Sequence, residues 1–306
     1  MDTQVCEKEP LNIAHAASAA LASATPAEIS LPFQAQPLQA PAARPRVHAE
    51  VGRYRLRLAE TVDDRDAACR LRFKVFNIEL GEGLESSYET GLDSDAFDLF
   101  CEHLLVEDKV SRKIVGTYRM QSGASAARNL GYYSEREFNL APYEALREGI
   151  LELGRASIDR EHRTPEVLTL LWRGIAQYAT DMGLRTLIGC SSLNSTDPAE
   201  GWQVYRQLEH YKVAAEFETV PTARYACPSE QEGQGAQPPA RQEMRTHPNP
   251  SVKIPKLLKT YLAIGARIAA PPAWDREFGT IDFLTLLDLK TISPAARHRF
   301  LAPLTQ

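Results

Sequence analysis

What most constrains this chain is the placement of charged residues inside segments that otherwise read as buried strands and helices. Arg72 and Phe76 lie in RLRFKVFNIEL, and Asp93, Asp95 and Asp98 lie in GLDSDAFD. Arg119 ends KIVGTYR, and Glu152 and Arg155 lie in LELGRASIDR. An unpaired charge in such a setting costs several kcal/mol, on the order of a domain's whole stability. These groups must therefore meet one another or a ligand, which points to a polar site built into a core.

The rest of the chain is ordinary for a soluble globular protein, with 306 residues, 43% hydrophobic and 25% charged. A net charge of -5 and the lack of an RNA-type aromatic motif argue against a nucleic-acid partner. Cys6, Cys69, Cys101, Cys190 and Cys227 are scattered, with no C-x-x-C or Cys/His ligand spacing. Reduced thiols in a cytosolic protein and no metal site are expected. Cys190, in LIGCSSL, reads as a small residue at the end of a buried strand rather than a nucleophile. No apolar run approaches the ~20 residues of a spanning helix. The Ala-rich IAHAASAALASA lacks the basic start of a secretory signal, since Asp2, Glu7 and Glu9 crowd the front.

Residues 1–50, rich in Ala, Pro, Gln and Ser, read as a disordered tail, and 228–250 as a flexible linker. Residues 51–227 carry the core, and 251–306 form a C-terminal extension with an amphipathic helix and an added strand, TIDFLTLLDL. In the core, YRLRLAET alternates as a strand, and Asp63 or Asp64 caps a helix running to about Ile78. EHLLVED and KIVGTYRMQ form a hairpin, ILELGRASID is a buried strand, and Thr164-Pro165-Glu166 opens a second helix. LRTLIGCSSL adds a strand, PAEGWQVYRQLEH a helix, and KVAAEFET a closing strand. The order predicts an α/β (α+β) fold on a mixed sheet, not a doubly wound parallel one.

Four motifs in order resemble those of the acyl-homoserine-lactone (autoinducer) synthases. They are R-x-x-x-F (Arg72, Phe76), D-x-D-x-F-D (Asp93, Asp95, Phe97, Asp98), G-T-Y-R (Arg119) and E-L-G-R (Glu152, Arg155). They resemble still more the hemolysin-like ornithine N-acyltransferases of the GCN5-related superfamily, which start ornithine-lipid synthesis. GYYSEREFNL, KIPKLLKTYLAIGARI and DREFGTIDFLTLLDL add to the second likeness, which covers about 54–290. Glu82 stands where the autoinducer synthases carry Trp, Asp93 where they carry Glu, and Met120-Gln121-Ser122 in place of a Leu-rich run. The resemblance implies a sheet with two splayed central strands that grip the pantetheine arm of an acyl thioester. It also implies transfer of a 3-hydroxyacyl chain from acyl carrier protein to the α-amine of ornithine or a similar amino acid. An autoinducer-type synthase and a non-enzymatic peripheral membrane or lytic protein are the alternatives.

Roles follow from chemistry. An amine attacking a thioester must be neutral, and Glu152 is the candidate proton acceptor. Its rival role is an ion pair with Arg155, which at i, i+3 on a strand needs a bulge. Arg72 and Arg119 are candidates for the acceptor's carboxylate, with an internal network to the aspartates as the alternative, and Arg155 is a further candidate for substrate binding. Asp93 and Asp95 are candidates for a cationic side chain. Asp98, with Phe76, is expected to fix the loop. By analogy with the fold, backbone N–H groups near Ala156 to Ile158 would meet the oxyanion. DREHRTPEV holds a proline and no glycine, so a pyrophosphate cradle is not expected. That favours acyl carrier protein as donor, with no bound cofactor. Arg160, His162, Arg163 and Ser191 are the expected contacts to the carrier and its arm. PKLLKTYLAIGARIA is amphipathic, with Lys253, Lys256, Lys259 and Arg267 basic. It is expected to pack on the core, and a contact with the inner face of a membrane would fit the same residues.

Overall fold

The computed structural model describes residues 44–228, 252–300 and 302. The tail expected over 1–50 lies outside the described residues as far as 43, and the expected linker lies outside them from 229. The strands are β1 (His48–Val51), β2 (Tyr54–Leu58), β3 (Glu102–Asp108), β4 (Lys113–Ser122), β5 (Ile150–Ile158), β6 (Thr186–Leu193), β7 (Arg267–Ile268), β8 (Ala273–Asp275) and β9 (Thr280–Asp288). The helices are α1 (Val62–Phe73), α2 (Ser87–Thr90), α3 (Gly123–Arg128), α4 (Pro165–Asp181), α5 (Pro198–Gln207), α6 (Lys256–Ile264) and α7 (Pro294–Phe300). The sheet runs β1-β2-β3-β4-β5-β6-β9-β7, with β8 also on β9. It is mixed, as expected: β5 and β6 are parallel and the β4–β5 and β6–β9 pairs antiparallel.

Local chemistry sets the elements. α1 starts in a capping box: the Thr61 hydroxyl accepts from the Asp64 amide at 3.1 Å, and Asp64 accepts from the Thr61 amide at 3.3 Å. Thr61 is therefore the cap, and Asp64 its reciprocal partner rather than the cap itself. α1 runs on as a π-helical stretch, Lys74–Leu80, closed by Gly81 in the left-handed region at φ 67. α4 is capped by Thr164 with Pro165 behind it, and buries Val167, Leu171 and Ile175 against Leu104, Met120, Leu151 and Leu187 of the sheet. The opposite face is covered by Tyr132, Phe138 and Tyr143, packed on Ile150, Ile188 and Leu284. α6 buries Leu258, Leu262 and Ile264, so the C-terminal extension is packed on the core.

Two boundaries differ from expectation. β1 begins at His48 and pairs with β2, ahead of the expected start at 51. KVAAEFET is not a strand: Lys212 makes one bridge to Ile268, Ala215–Phe217 is a helical turn, and Ala214 and Ala215 are exposed. Small alanines offer little to a sheet face. The β-branched and aromatic run TIDFLTLLD, mostly buried, takes the place beside β6 as β9.

The sheet opens between β5 and β6. They pair only at Ile150–Thr186, Leu151–Leu187 and Glu152–Ile188. Beyond that point β5 stays with β4 and β6 with β9. Gly189 marks the fork, where a Cβ would come 2.2 Å from the Leu153 carbonyl oxygen, so only glycine fits. A bulge helps to turn β5. Thr117 pairs with Ser157 and Arg119 with Gly154, leaving Tyr118 opposite Arg155 and Ala156, with Arg155 at φ 50.

Candidate active site

Alternation and register gather the polar groups on one face of the sheet. Arg119 and Gln121 share a face of β4, and Gln121 pairs with Glu152. Glu152 pairs with Ile188, which shares its face with Cys190 and Ser192, and Ser192 pairs with Asp282. α1 and the loop after it lie over this face and add Arg72, Asp93, Asp95 and Asp98.

Three arginines meet three aspartates there. Arg72 is fully buried; its Nε donates to Asp93 at 2.8 Å and its Nη1 and Nη2 to Asp98 at 2.8 Å each. Arg119 donates to Asp95 at 2.7 Å and to Asp98 at 3.2 Å. Arg155 donates to Asp93 at 3.3 Å, to Asp95 at 3.2 Å and to the Tyr133 hydroxyl at 3.4 Å. The formal charges balance. Burial alone would lift the Asp98 carboxyl; the Arg72 bonds and charge, with Arg119, hold it well below the usual range. Asp98 also accepts from the Asp95 amide at 2.8 Å and so fixes its loop.

Glu152 stands apart from this network. Its carboxylate accepts from the Tyr133 amide at 2.9 Å, and from the Ser134 amide and hydroxyl at 2.8 Å each. The bulge brings Arg155 round to Tyr133 and the aspartates, so the local Glu152–Arg155 pair does not form. Burial pushes the Glu152 carboxyl up, and the Ser134 and Tyr133 donors draw it part of the way back. A carboxylate accepts about four hydrogen bonds, so Glu152 keeps room for a substrate proton.

One cavity of about 1220 Å³ passes through the fork. On the α4 side its wall is apolar: Tyr118, Leu168, Trp172, Leu187 and Tyr261. On the other side it is polar: Arg119, Tyr133, Ser134, Glu152, Arg155, Asp275 and Asp282. Arg163, Lys253, Lys256, Lys259 and Arg299 also line it, all exposed. Such a passage can hold an extended chain at one end and a charged acceptor at the other, with a carboxylate between.

Curated relatives give the family. A protein of Agrobacterium fabrum named L-ornithine N(alpha)-acyltransferase is 32% identical over 79% of this chain and 83% of its own length. A protein of the same name from Brucella abortus is 31% identical over 79% of this chain and 87% of its own. The chain belongs to the L-ornithine N(alpha)-acyltransferase family. Residues 71–173 of this acyltransferase match the Acetyltransferase (GNAT) domain family, from the end of α1 into α4. Among solved structures, FeeM, an N-acyl amino acid synthase from uncultured soil microbes, aligns with a TM-score of 0.47 at 12% identity, over 82% of this chain and 97% of its own.

The structure of this family member sorts the expected site residues. Glu152, Arg119, Arg155, Phe76, Arg163 and Ser191 line the cavity. Phe76 does so as a wall, edge-on to Phe278 at 6.0 Å, and not as part of the ion network. Arg72, Asp93, Asp95 and Asp98 stand behind the wall. Arg72 spends all three guanidinium nitrogens on Asp93 and Asp98, which places it in the internal network given as its alternative role. Asp93 and Asp95 each meet two arginines, which leaves them poor receptors for a further cation. Arg160 and His162 are off the cavity wall, and His162 Nδ1 turns to the Tyr54 hydroxyl at 3.1 Å. Ser191 is buried against Thr285 at 3.3 Å. Sequence reasoning missed Tyr133, Ser134, Phe278, Glu137, Asp275 and Asp282. Asp282 had a signal: it is an acid inside the strand TIDFLTLLD, the same anomaly that singled out Glu152.

Proposed function

We propose that this protein moves a long acyl chain from acyl carrier protein to the α-amine of ornithine, the first step toward an ornithine lipid. The single cavity through the fork, apolar at one end and polar at the other, carries the reading. The acyl chain lies among Tyr118, Trp172 and Tyr261, and the pantetheine arm follows the β5 edge past Glu152, which has no partner strand on that side. Backbone N–H groups of that edge, near Ala156, receive the oxyanion. Glu152 takes the proton of the attacking amine, its raised affinity for protons bringing it closer to neutral pH. The acceptor's carboxylate meets Arg155, whose Nε and Nη2 hold the aspartates while Nη1 takes no part in those bonds. Exposed Arg163, Lys253, Lys256 and Lys259 steer the acidic carrier protein to the mouth.

The reaction takes place in the cytoplasm or on the inner membrane face, where the basic side of α6 favours anionic headgroups. None of the described helices is long and apolar enough to cross a membrane. The test is purified protein with 3-hydroxyacyl carrier protein, the matching coenzyme A thioester and a panel of amino acids. Free thiol should appear fastest with the carrier protein and ornithine, giving the α-N-acyl product. No thiol release with any amino acid would remove the reading.

A further inference from the structure

A second acidic cluster borders the same cavity, with Asp275 and Asp282 on the wall and Glu137 behind them, and unlike the first it has no counter-charge. Glu137 follows the turn Tyr133–Arg136, Asp275 ends β8 and Asp282 lies in β9. One carboxylate oxygen from each lies within 4.8 Å of the others, and the three residues are 1%, 3% and 4% exposed. Among the described residues no lysine or arginine pairs with any of them. The arginines adjoining these residues in sequence are engaged elsewhere: Arg136 and Arg276 flank Glu137 and Asp275, and Arg136 binds Glu277 at 3.1 Å while Arg276 stacks on Trp274 at 4.0 Å.

Hydrogen bonding leaves the cluster equally open. Asp275 accepts from the Glu277 and Phe278 amides at 2.8 and 3.0 Å, and Asp282 from the Thr280 hydroxyl at 3.3 Å and from the Ser192 hydroxyl. Both carboxylate oxygens of Glu137 are buried with no backbone or hydroxyl donor, and Glu137 meets Asp282 carboxyl to carboxyl, which keeps a proton in the cluster. The adjacent Cys190 thiol moderates the Glu137 charge, but its geometric partner is the Ser134 hydroxyl at 3.6 Å. Buried carboxylates without a cation must hold protons or wait for one. Burial, then the Asp282 and Asp275 charges, push the Glu137 carboxyl well up, and burial pushes Asp282 up to about 6.

We propose that Glu137, Asp275 and Asp282 form the pocket that receives the side-chain ammonium group of the acceptor amino acid. The inference rests on the reading of the reaction as acyl transfer to ornithine. Asp275 and Asp282 line the cavity that Glu152 and Arg155 line. The Ser134 hydroxyl lies between Glu152 at 2.8 Å and the Cys190 thiol at 3.6 Å, and Cys190 neighbours Glu137, so the two amines of a short diamino acid can meet Glu152 and the cluster together. Asp93 and Asp95 already hold arginines, so the selectivity assigned to them from sequence moves here. Glu82 adds a fourth acid on the wall; burial and then the Asp282 charge push it up to about 7. This is the residue that stands where autoinducer synthases carry Trp.

The test compares ornithine with norvaline, which is ornithine without its terminal amine. The wild type should favour ornithine in kcat/KM. Asp282→Asn and Glu82→Gln should each reduce that preference through KM, by roughly 10- to 100-fold for Asp282→Asn and less for Glu82→Gln at the wall. Asp282→Asn removes a buried charge and keeps its shape, and thermal melting checks that it folds. Calorimetric titration of the acyl-free protein with ornithine should show the same loss without any turnover. A preference that survives in both variants, or a wild type indifferent to the terminal amine, would overturn the pocket. So would a stoichiometric divalent ion that resists dialysis and disappears in Asp282→Asn, which would assign the cluster to a metal. Failure of acyl transfer with ornithine still bound in the titration, and lost in Asp282→Asn, would sink the reaction and keep the pocket.

Discussion

At the residue scale Glu152 ties the Tyr133–Ser134 turn to β5, and the proposed reaction also makes it the acceptor of the amine's proton. Glu152→Gln should lower kcat roughly 100- to 10,000-fold, the usual range for a lost general base. A base works only when ionised, and burial raises the pH at which Glu152 ionises. The acid limb of the wild-type kcat profile should therefore lie above that of an ordinary glutamate and vanish in Glu152→Gln. Wild-type turnover with a Glu152→Gln protein of normal melting temperature would assign the residue to structure alone. Glu152 was legible in the sequence because an acid in a buried strand must have a reason. Its partners were not, because Tyr133 and Ser134 act mainly through backbone amides, which no residue type announces.

At the scale of elements, the fork between β5 and β6 depends on one small residue. Gly189→Ala would push a methyl into the Leu153 carbonyl, forcing the strands apart or β6 out of line. We expect a loss of about 1–3 kcal/mol in urea unfolding and a larger proportional loss of activity. α6 offers a different check. Leu258 and Leu262 hold it to the core while Lys256 and Lys259 face solvent. Lys256→Glu/Lys259→Glu should lower kcat/KM for acyl carrier protein by roughly 10-fold at low salt, with the deficit fading as salt rises past the Debye regime. The order of strands and helices was readable from period-two and helical patterns from β2 as far as β6. The closing strand was misplaced because KVAAEFET alternates well but offers only alanines, while β9 comes after 229–251 and reads equally well as an appendage.

At the scale of the whole molecule, the Arg–Asp network joins α1, its following loop, β4 and β5 into one unit, with Arg72 at its centre. Arg72→Met would strand Asp93 and Asp98 and should cost about 3–5 kcal/mol, read by urea unfolding. The sign with pH is fixed. Arg72 and Arg119 depress the folded-state pKa of Asp98, so its contribution is present above the unfolded value of about 4 and is lost as pH falls through the lower folded value. The gap between wild type and Arg72→Met should therefore be widest near neutral pH and shrink in acid. That the charges would meet was foreseeable from the cost of burying them singly. Which of them face the substrate was not, because a cavity wall is a property of three dimensions.

The direct measurement of the central claim is a crystal structure with a non-hydrolysable acyl-pantetheine amide. Density for the arm should run between β5 and β6 beyond the Glu152–Ile188 pair, with the acyl chain among Tyr118, Trp172 and Tyr261 and the amide within reach of Glu152. An arm bound elsewhere, or β5 and β6 closed on each other along their length, would contradict it.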